Sequence, residues 1–468
     1  MITINKQEKT PIYIQIYRQI REDIINGSLP AHSRLKPIRV IADELKVGIN
    51  TIKRAYTQLV VEGFLENTPR TAYEVVDLKK FKPKRLKNSK IAIDPETEEI
   101  PAVQHYKYDF TYQKQSIELF PLSSWRKYTT EALMGYDNEK LGCYNDQKGE
   151  VELRKEIKKY LNLSRGVKCN IEQIIVCCGI QDSIERICRI LPRTTVGVEQ
   201  PGLPLWGHIF RGYGFSTIPL NVYPEHRLQE DLEDSNARIA VTTPSHQFPT
   251  GYTMSLSERL QLIQWAENND GIIIEDDYDC EFRYDSQPVS AMQSIDDYGR
   301  IIYLGTFSKI LIPGLRLNFM VLPKRLLSSY HKVYGEYPTA ISWLSQKVMY
   351  FYMNDGSFDK HIRRARYVYK EKYITLLSAC KELLGDQVDI IGSDAGLHIL
   401  LRINRAASQE ELINRAAQKN VRVYSTREYW DSTGEHFENL ILLGFSIIKQ
   451  DEIYAGIQQL RTAWQDYL

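Results

Sequence analysis

The segment Gly271-Ile-Ile-Ile-Glu-Asp-Asp-Tyr278 constrains the fold most, because a run of apolar residues ends abruptly in a cluster of carboxyl groups. A continuous apolar run is typical of a strand that is buried on both faces, as in a parallel sheet. In open α/β sheets, ligands bind beyond the carboxyl ends of the strands, where this acidic cluster would lie. Asp276 and Tyr278 are two residues apart, so their side chains point the same way from an extended chain. The sequence therefore predicts a ligand site at Asp276 and Tyr278.

A second apolar run, Ile301–Leu304, leads into the motif Gly305-Thr-Phe-Ser-Lys309. The amine of Lys309 can condense with an aldehyde, provided that burial or a neighbouring cation lowers the pKa of its ammonium group. Two hydroxyl groups and a guanidinium group near this lysine suit a phosphate, and they belong to Thr306, Ser308 and Arg316. An aldehyde that also carries a phosphate is pyridoxal 5′-phosphate (PLP).

The two motifs complement each other around one PLP molecule. A carboxylate such as Asp276, held against the pyridine nitrogen, keeps that nitrogen protonated so that the ring can withdraw electrons. The phenol of Tyr278 can bond the oxygen on the ring. Taken alone, Lys309 is better explained as a surface lysine before a loop, and Asp276 as a polar strand end. Together they predict a PLP site.

A third element could cradle the phosphate. The apolar run Ile174–Cys177 is followed by Cys178-Gly-Ile-Gln181 and by a predicted helix from Asp182 to Leu191. Backbone N–H groups at the start of a helix bind anions readily. We therefore expect a phosphate to contact Gly179, Ile180 and Gln181.

Residues 1–76 predict a separate, mostly helical module. Three helices and two short strands are expected, at Pro11–Gly27, Ile38–Leu45, Asn50 to Glu62, Gly63–Leu65 and Tyr73–Val76. In the third helix one set of residues would face inward, namely Ile52, Ala55, Tyr56 and Leu59. A helix–turn–helix with a wing reads double-stranded DNA by placing its third helix in the major groove. The alternative is an ordinary three-helix bundle with solvated charges.

The distribution of charge favours DNA binding. Residues 1–90 contain 18 Lys and Arg against 9 Asp and Glu, whereas the remaining residues contain 42 against 50. The chain is therefore a basic head on an acidic body, and only the head has the excess positive charge that phosphates attract. The residues expected to contact DNA are Arg34, Arg39, Asn50, Thr51, Lys53 and Arg54.

Residues 106–468 resemble the fold-type I aminotransferases. The segment Thr242-Thr-Pro-Ser-His246-Gln-Phe-Pro-Thr-Gly251 resembles the Asn-Pro-x-x-Pro-Thr-Gly loop of that fold, which places His246 among the cofactor-binding residues. Gly142-Cys-Tyr144-Asn-Asp-Gln-Lys-Gly149 resembles the segment whose tyrosine reaches the cofactor phosphate of the partner subunit. The resemblance implies an α/β PLP-dependent transferase body with a central, mostly parallel sheet and a smaller C-terminal α/β subdomain.

The head resembles the winged helices of the GntR family, through Arg34-Leu-x-x-x-Arg39-x-Ile-Ala42 and Asn50-Thr-Ile-Lys-Arg-Ala-Tyr56. An α+β winged helix-turn-helix head joined to an aminotransferase-like body is the layout of the MocR-type transcription regulators, and the chain is especially similar to the member that responds to γ-aminobutyrate. The family implies a PLP-bound, head-to-tail homodimer. A small amine or amino-acid effector would exchange with Lys309 to form an external aldimine and shift the dimer between DNA-bound states.

Some positions of the head depart from the GntR pattern. Ile49 stands at the start of the third helix, where members of that family usually have an arginine. Isoleucine cannot donate a hydrogen bond, although it could touch a thymine methyl group. The wing also lacks its customary glycines. We therefore expect an operator that differs from the common one of the family.

The body departs from the aminotransferase pattern as well. Phe248 replaces the asparagine that bonds the ring oxygen, and Leu442-Leu-Gly-Phe445 lacks the arginine of the usual carboxylate clamp. Arg427 could replace that arginine as an effector-binding residue, or it could be a surface arginine. The γ-aminobutyrate-responsive relative has a ring-stacking tyrosine and a carboxylate-binding arginine at two positions that are leucines here, Leu203 and Leu205. Trp206 could stack on the ring instead, or belong to the core.

Composition limits the class of protein. No run of 18 apolar residues is present, and the polar start of the chain does not predict a secretion signal. The seven cysteines show no paired CxxC spacing, so we expect neither a zinc site nor a disulfide framework, and no other metal. A protein of the reducing cytoplasm follows. Its expected parts are the head (1–76), a linker (77–105) and the body (106–468); the linker is either a flexible tether or an arm along DNA.

Two functions from different classes follow. The first is a PLP-dependent, DNA-binding transcriptional regulator that senses a small amine, an amino acid or PLP itself through an aldimine at Lys309. The second is a catalytically active aminotransferase with a vestigial DNA-binding head. Leu203, Leu205 and Phe248 oppose the second function, whereas Ile49 and the missing wing glycines keep it open. We favour the regulator and expect weak or absent transaminase activity.

Overall fold

The computed structural model describes residues 2–5, 7–67, 73–78, 105–224, 226–284, 289–392, 395–405, 407–430 and 439–468. The chain divides into two compact units between Ala102 and Val103. Most of the expected linker, residues 79–104, lies outside the described residues. Among the described helices, none is long and apolar enough to cross a membrane.

The head is a winged helix–turn–helix, as predicted. Its elements are α1 (Ile12–Asn26), α2 (Ile38–Glu44), α3 (Ile49–Val61), β1 (Leu65–Glu66) and β2 (Glu74–Val75). Helix α1 ends at Gly27, whose φ of 81° lies in the left-handed region that favours glycine. The inward residues predicted for α3 are buried and pack against Ile16, Ile20 and Ile24 of α1.

The wing consists of the antiparallel strands β1 and β2, in which Leu65 pairs with Val75 and Glu66 with Glu74. Side chains alternate between the faces of a strand, so Leu65 and Val75 both point into the core of the head. The wing thereby closes the apolar interior of a small module.

The body begins with β3 (Tyr108–Asp109), α4 (Leu122–Met134), a 3-10 helix (Tyr136–Gly142) and α5 (Val151–Arg165). Seven strands then form its central sheet in the order β4-β10-β9-β8-β7-β5-β6. They are β4 (Ile174–Cys177), β5 (Thr195–Gln200), β6 (Ser216–Asn221), β7 (Ala237–Thr242), β8 (Ile272–Asp277), β9 (Ile301–Thr306) and β10 (Asn318–Val321). Strand β10 is antiparallel to its two neighbours and the other pairs are parallel. The structure therefore confirms the central, mostly parallel sheet that was expected.

Apolar cores cover both faces of the sheet, which explains the continuous apolar runs. In β8, Ile272 and Ile274 pack on one face, whereas Ile273 packs on the other. The surrounding helices are α6 (Gly179–Ile190), α7 (Pro204–Gly212), α8 (Leu228–Glu233), α9 (Leu256–Asn268), α10 (Leu327–Tyr334) and α11 (Trp343–Asn354).

A smaller C-terminal subdomain follows, as expected. The long helix α12 (Ser357–Leu384) leads into the antiparallel strands β11 (Val388–Ile391), β12 (His398–Ile403), β14 (Tyr424–Ser425) and β15 (Leu440–Gly444), packed with α13 (Gln409–Gln418) and α14 (Gln450–Ala463). Strand β13 (Val421–Arg422) pairs in parallel with β3, which ties the start of the body to this subdomain.

Helix α6 begins at Gly179, three residues before the predicted start. The carboxylate of Asp182 accepts a hydrogen bond from the backbone N–H of Cys178 at 2.9 Å and so stabilises the extra turn. Residues 179–181 therefore form the first turn of the helix itself.

Candidate cofactor site and DNA-binding face

Strands β8 and β9 bring the two motifs of the body together. They run parallel, with Asp276 opposite Leu304 and Asp277 opposite Gly305, so both strands end at one edge of the sheet. A cavity of about 260 Å³ lies there. Its lining contains seven residues that the sequence predicted to bind the cofactor, namely Ile180, Asp276, Tyr278, Thr306, Ser308, Lys309 and Arg316.

The three acids at the end of β8 have different partners. Glu275 accepts hydrogen bonds from two backbone N–H groups of the 3-10 helix Met292–Ile295. Asp277 forms a buried ion pair with Arg165, with 2.7 Å between Nε and the carboxylate oxygen. Asp276 is left facing the cavity. The two outer acids therefore anchor the strand end, and the middle acid is available to a ligand.

The carboxyl group of Asp276 has no cationic partner among the described residues. Burial raises its pKa to about 7, with help from the charges of Asp277 and Glu199, while a hydrogen bond donated by the Trp206 side chain opposes the rise. A positive charge beside this group would restore its ordinary acidity. A protonated pyridine nitrogen is such a charge, so Asp276 fits the ring of PLP.

Lys309 has the lowered pKa that its reaction with an aldehyde requires. Burial lowers the pKa of its amine to about 8. The amine donates a hydrogen bond to the backbone carbonyl oxygen of Tyr112 at 3.2 Å, and it lies 3.4 Å from the centre of the Tyr112 ring. At mildly alkaline pH, Lys309 is therefore a neutral amine in a substantial fraction of the protein molecules, and this form can attack an aldehyde.

The other end of the cavity fits a phosphate. The guanidinium group of Arg316 makes no hydrogen bond or ion pair with any described residue, and it lies against the first turn of α6. A Cβ atom at position 179 would lie 2.2 Å from Nη2 of Arg316, and Gly179 has a φ of 78°, so only glycine fits there. The N–H groups of this first turn have no partner inside the helix. The side chain of Gln181 is exposed and bonds Glu185, so only its backbone belongs to the cradle.

His246 lies behind the cavity, where it contacts Tyr278. The Tyr278 hydroxyl donates to the His246 carbonyl oxygen at 2.9 Å and lies 3.0 Å from Nδ1 of the same residue. The same Nδ1 is 3.0 Å from the carboxylate of Asp279. His246 is buried and does not line the cavity, so it positions Tyr278 instead of reaching the cofactor directly.

A buried group beside this network was not predicted from the sequence. Ligand atoms of His246, Asp279 and His398 lie within 4.8 Å of one another, a spacing that a metal ion could bridge. Hydrogen bonds already engage Nδ1 of His246 and Nε2 of His398, the latter with the Pro249 carbonyl oxygen at 2.8 Å. The other ring nitrogens, Nε2 of His246 and Nδ1 of His398, are buried without a hydrogen-bond partner among the described residues.

Two further predicted site residues lie on the surface, outside the lining of the cavity of their own chain. Tyr144 is 94% exposed. Arg427 is also exposed, at the start of the 3-10 helix Arg427–Tyr429. Three residues that follow it, Glu428, Tyr429 and Trp430, line a second cavity. The structure does not place Arg427 where it would clamp a carboxylate next to Lys309.

Sequence reasoning missed three residues that line the cavity or support its chemistry. Tyr112 follows an irregular segment, so no periodic pattern points to it. Glu199 ends an apolar strand, β5, as Asp276 ends β8, and this shared pattern was a usable signal. Arg165, at the end of α5, pairs with Asp277 across the core, and no local pattern reveals that contact. Trp206 is a core residue, yet it also bonds Asp276.

The head carries its predicted DNA-contacting residues on an accessible surface. Asn50, Lys53 and Arg54 are exposed on α3, and Thr51 is half-buried. Ile49, at the start of this helix, is 51% exposed. The guanidinium carbon of Arg54 lies 4.2 Å from the centre of the Tyr13 ring, which fixes its direction. Arg34 and Arg39 are also exposed.

Comparisons with known proteins match both units. Residues 108–430 match the model of aminotransferase class I and II, and residues 12–75 match the gntR family of bacterial regulatory proteins. The chain is 35% identical to the HTH-type transcriptional regulator YhdI of Bacillus subtilis (strain 168), over 98% of this chain and 97% of that protein. It is 32% identical to the probable rhizopine catabolism regulatory protein MocR of Rhizobium meliloti, over 99% and 96% respectively.

The fold also matches solved structures. The kynurenine aminotransferase of Pyrococcus horikoshii superposes with a TM-score of 0.71 and 25% identity, covering 84% of this chain and 98% of that one. The relatives named above extend over both units. The chain therefore belongs to the MocR-type transcriptional regulators, in which a GntR-family winged helix precedes an aminotransferase-like, PLP-dependent domain.

Proposed function

We propose that this chain regulates transcription by binding DNA through its head and by sensing an amine through PLP held at Lys309. One observation carries the proposal. In a single cavity, an amine with a lowered pKa, an acid without a described cation and an arginine without a described anion face one another. PLP has a group that complements each of them.

Different residues of the cavity would hold different parts of the cofactor. When bound, PLP supplies an aldehyde that amines capture reversibly. Lys309 would hold that carbon, Asp276 would balance the charge of the pyridine nitrogen, and Tyr278 would orient the ring. The phosphate would be held by Arg316, Thr306, Ser308 and the first turn of α6.

A ligand amine would replace Lys309 at the aldehyde carbon. Lys309 would take up the two protons that the ligand nitrogen gives up, so the exchange needs no oxidant or reductant. The hydrogen bond from Lys309 to Tyr112 then holds the released amine within the cavity.

The head would read double-stranded DNA through α3. Lys53 and Arg54 lie on the exposed face of this helix, while Ile52 and Ala55 are fully buried in the core. The polar face therefore remains free to enter a major groove without cost to the folded module.

We also infer a homodimer. Tyr144 is 94% exposed and close in sequence to the exposed apolar residues Met134 (82%) and Leu141 (50%). Large apolar side chains exposed to this degree favour association, and Tyr144 would then reach the cofactor phosphate of the partner subunit. We propose the head-to-tail arrangement of the family for this dimer. Sedimentation at the mass of one chain would contradict it.

The test of this function measures binding of the full-length protein to DNA from upstream of its own gene. Fluorescence anisotropy with and without PLP and an amine should show a change in affinity on amine addition. Lys309→Ala should remove the coenzyme absorbance and the response to the amine. The head of this full-length variant should still bind DNA. Sustained conversion of a keto acid by the wild-type protein would favour the aminotransferase instead.

A further inference from the structure

The lining of the cavity around Lys309 limits which amines can be sensed there. We infer that the ligand is an amine whose remaining part is uncharged and largely apolar, such as an alkylamine or an arylalkylamine, and not a carboxylate-bearing amino acid. This inference rests on the proposed function, because it concerns the amine that competes with Lys309.

The charges of the cavity are the first argument. Among the residues that the structure describes, the lining contains two cations, Lys309 and Arg316, and two acids, Glu199 and Asp276. Arg316 is assigned to the phosphate and Lys309 to the reacting carbon, so neither is left for a carboxylate of the ligand. Asp276 is likewise assigned to the pyridine nitrogen, so a ligand carboxylate would meet no available cation and one remaining acid, Glu199.

The wall beside Lys309 is the second argument. Phe248, Leu400 and Leu442 form a buried cluster with several tyrosines. The Phe248 ring stacks on Tyr112 with 5.1 Å between the ring centres and meets Tyr429 edge-on at 4.7 Å. An ionised carboxylate against this wall would lose hydration without gaining a partner, whereas an alkyl or aryl group would gain burial.

Space for the body of the ligand is the third argument. A second cavity of about 180 Å³ adjoins the first and shares Val198, Glu199, Gly202 and Leu203 with it. The charged residues that line this second cavity are one cation, Arg211, and two acids, Glu199 and Glu428. An apolar body that passes Leu203 would fill the shared region without meeting an excess of positive charge.

The experiment titrates the full-length, PLP-loaded protein with two matched pairs of probes and records the coenzyme absorbance. The pairs are 2-phenylethylamine with L-phenylalanine, and n-butylamine with γ-aminobutyrate. In each pair we expect the amine without a carboxylate to change the spectrum at a concentration lower by about tenfold or more. An equal or stronger response to the carboxylated member of either pair would overturn the inference.

A variant tests the region that the two cavities share. Leu203→Arg adds a cation where the two cavities meet, at a side chain that is 36% exposed and can tolerate the change. It should reduce the preference for 2-phenylethylamine over L-phenylalanine by about tenfold. The matched control is Leu256→Arg at the exposed start of α9, which should keep the wild-type preference.

The outcomes separate this inference from the proposed function. A Leu203→Arg protein with an unchanged preference would overturn the inference, since the ligand would then not pass Leu203. A wild-type spectrum that shows bound coenzyme but no response to any of the four probes would also overturn it, while PLP binding stands. Absence of the coenzyme band before any probe is added would remove both proposals.

Discussion

The side-chain nitrogen of Lys309 lies 3.2 Å from the carbonyl oxygen of Tyr112, although 197 residues separate them in the sequence. The same nitrogen is 3.4 Å from the centre of the tyrosine ring. A carbonyl and a π-face stabilise a protonated amine, whereas burial opposes it, and burial wins because the pKa falls to about 8. Tyr112 therefore holds the amine in place without keeping it permanently charged.

This balance predicts a pH dependence for the capture of PLP. The neutral amine attacks the aldehyde, and the neutral fraction of Lys309 rises with pH through about 8, well below the ordinary lysine value. The rate at which the cofactor-free protein acquires coenzyme absorbance should rise with pH, with a midpoint near 8. The matched control is Lys372→Met, because burial also lowers the pKa of Lys372 to about 8, away from the cavity. A midpoint above 10 in the wild-type protein would contradict the assignment to Lys309.

A second prediction concerns the hydrogen bond from Trp206 to Asp276. Trp206→Phe removes the donor, so the charged form of Asp276 is less favoured and its attraction for the pyridine nitrogen weakens. Hydrogen bonds to charged groups contribute about 1.5–3 kcal/mol, so the dissociation constant of PLP should rise by about tenfold or more. A titration with PLP that is followed by absorbance measures this dissociation constant.

The control for this prediction is Trp343→Phe. The Nε1 atom of Trp343 is buried without a hydrogen-bond partner, so the same truncation removes no bond there. Its PLP affinity should match that of the wild type. Equal affinities for all three proteins would show that Trp206 does not support Asp276.

A third prediction concerns stability. The side chains of Arg165 and Asp277 are 2% and 1% exposed, so Asp277→Asn would leave a buried guanidinium group without an anion. The free energy of unfolding of the body should fall by about 3–5 kcal/mol. Asp270→Asn, at an ion pair whose acid is 86% exposed, should cost only about 0–1 kcal/mol. Denaturant titrations of both variants compare the two costs, and similar losses would contradict the structural role of Asp277.

A fourth prediction concerns DNA. Lys53→Ala and Arg54→Ala each remove one cation from the exposed face of α3. Each should weaken DNA binding and reduce the slope of log affinity against log salt by about 0.9 if the residue contacts a phosphate. Lys155→Ala, at an exposed position in α5 of the body, is the control and should leave the slope unchanged. An unaltered slope for a head variant would remove that residue from the interface.

Local patterns predicted much of the fold. Apolar runs located β4, β8 and β9, and four-residue spacing located α1, because both signals depend only on neighbouring residues. The strand-end position of Asp276 and the motif around Lys309 then predicted which residues line the cavity. The registers of β8 and β9 explain that success, since parallel neighbours end at the same edge.

Long-range contacts were the part that local patterns could not predict. Nothing near Asp277 in the sequence indicates that Arg165, 112 residues away, neutralises it. His246 matched a loop that was expected to touch the cofactor, but its ring turns toward Asp279 and supports Tyr278 from behind. The sequence left two roles open for Arg427, an effector-binding residue or a surface arginine, and its side chain is exposed.

Chemical trapping tests the central claim most directly. Full-length protein incubated with PLP and reduced with borohydride should carry one stable pyridoxyl group, and mass spectrometry of its peptides should locate that group on Lys309. Lys309→Ala should show no such modification, while Lys372→Met should retain it. A pyridoxyl group found on another lysine of the wild-type protein, or none at all, would contradict the account.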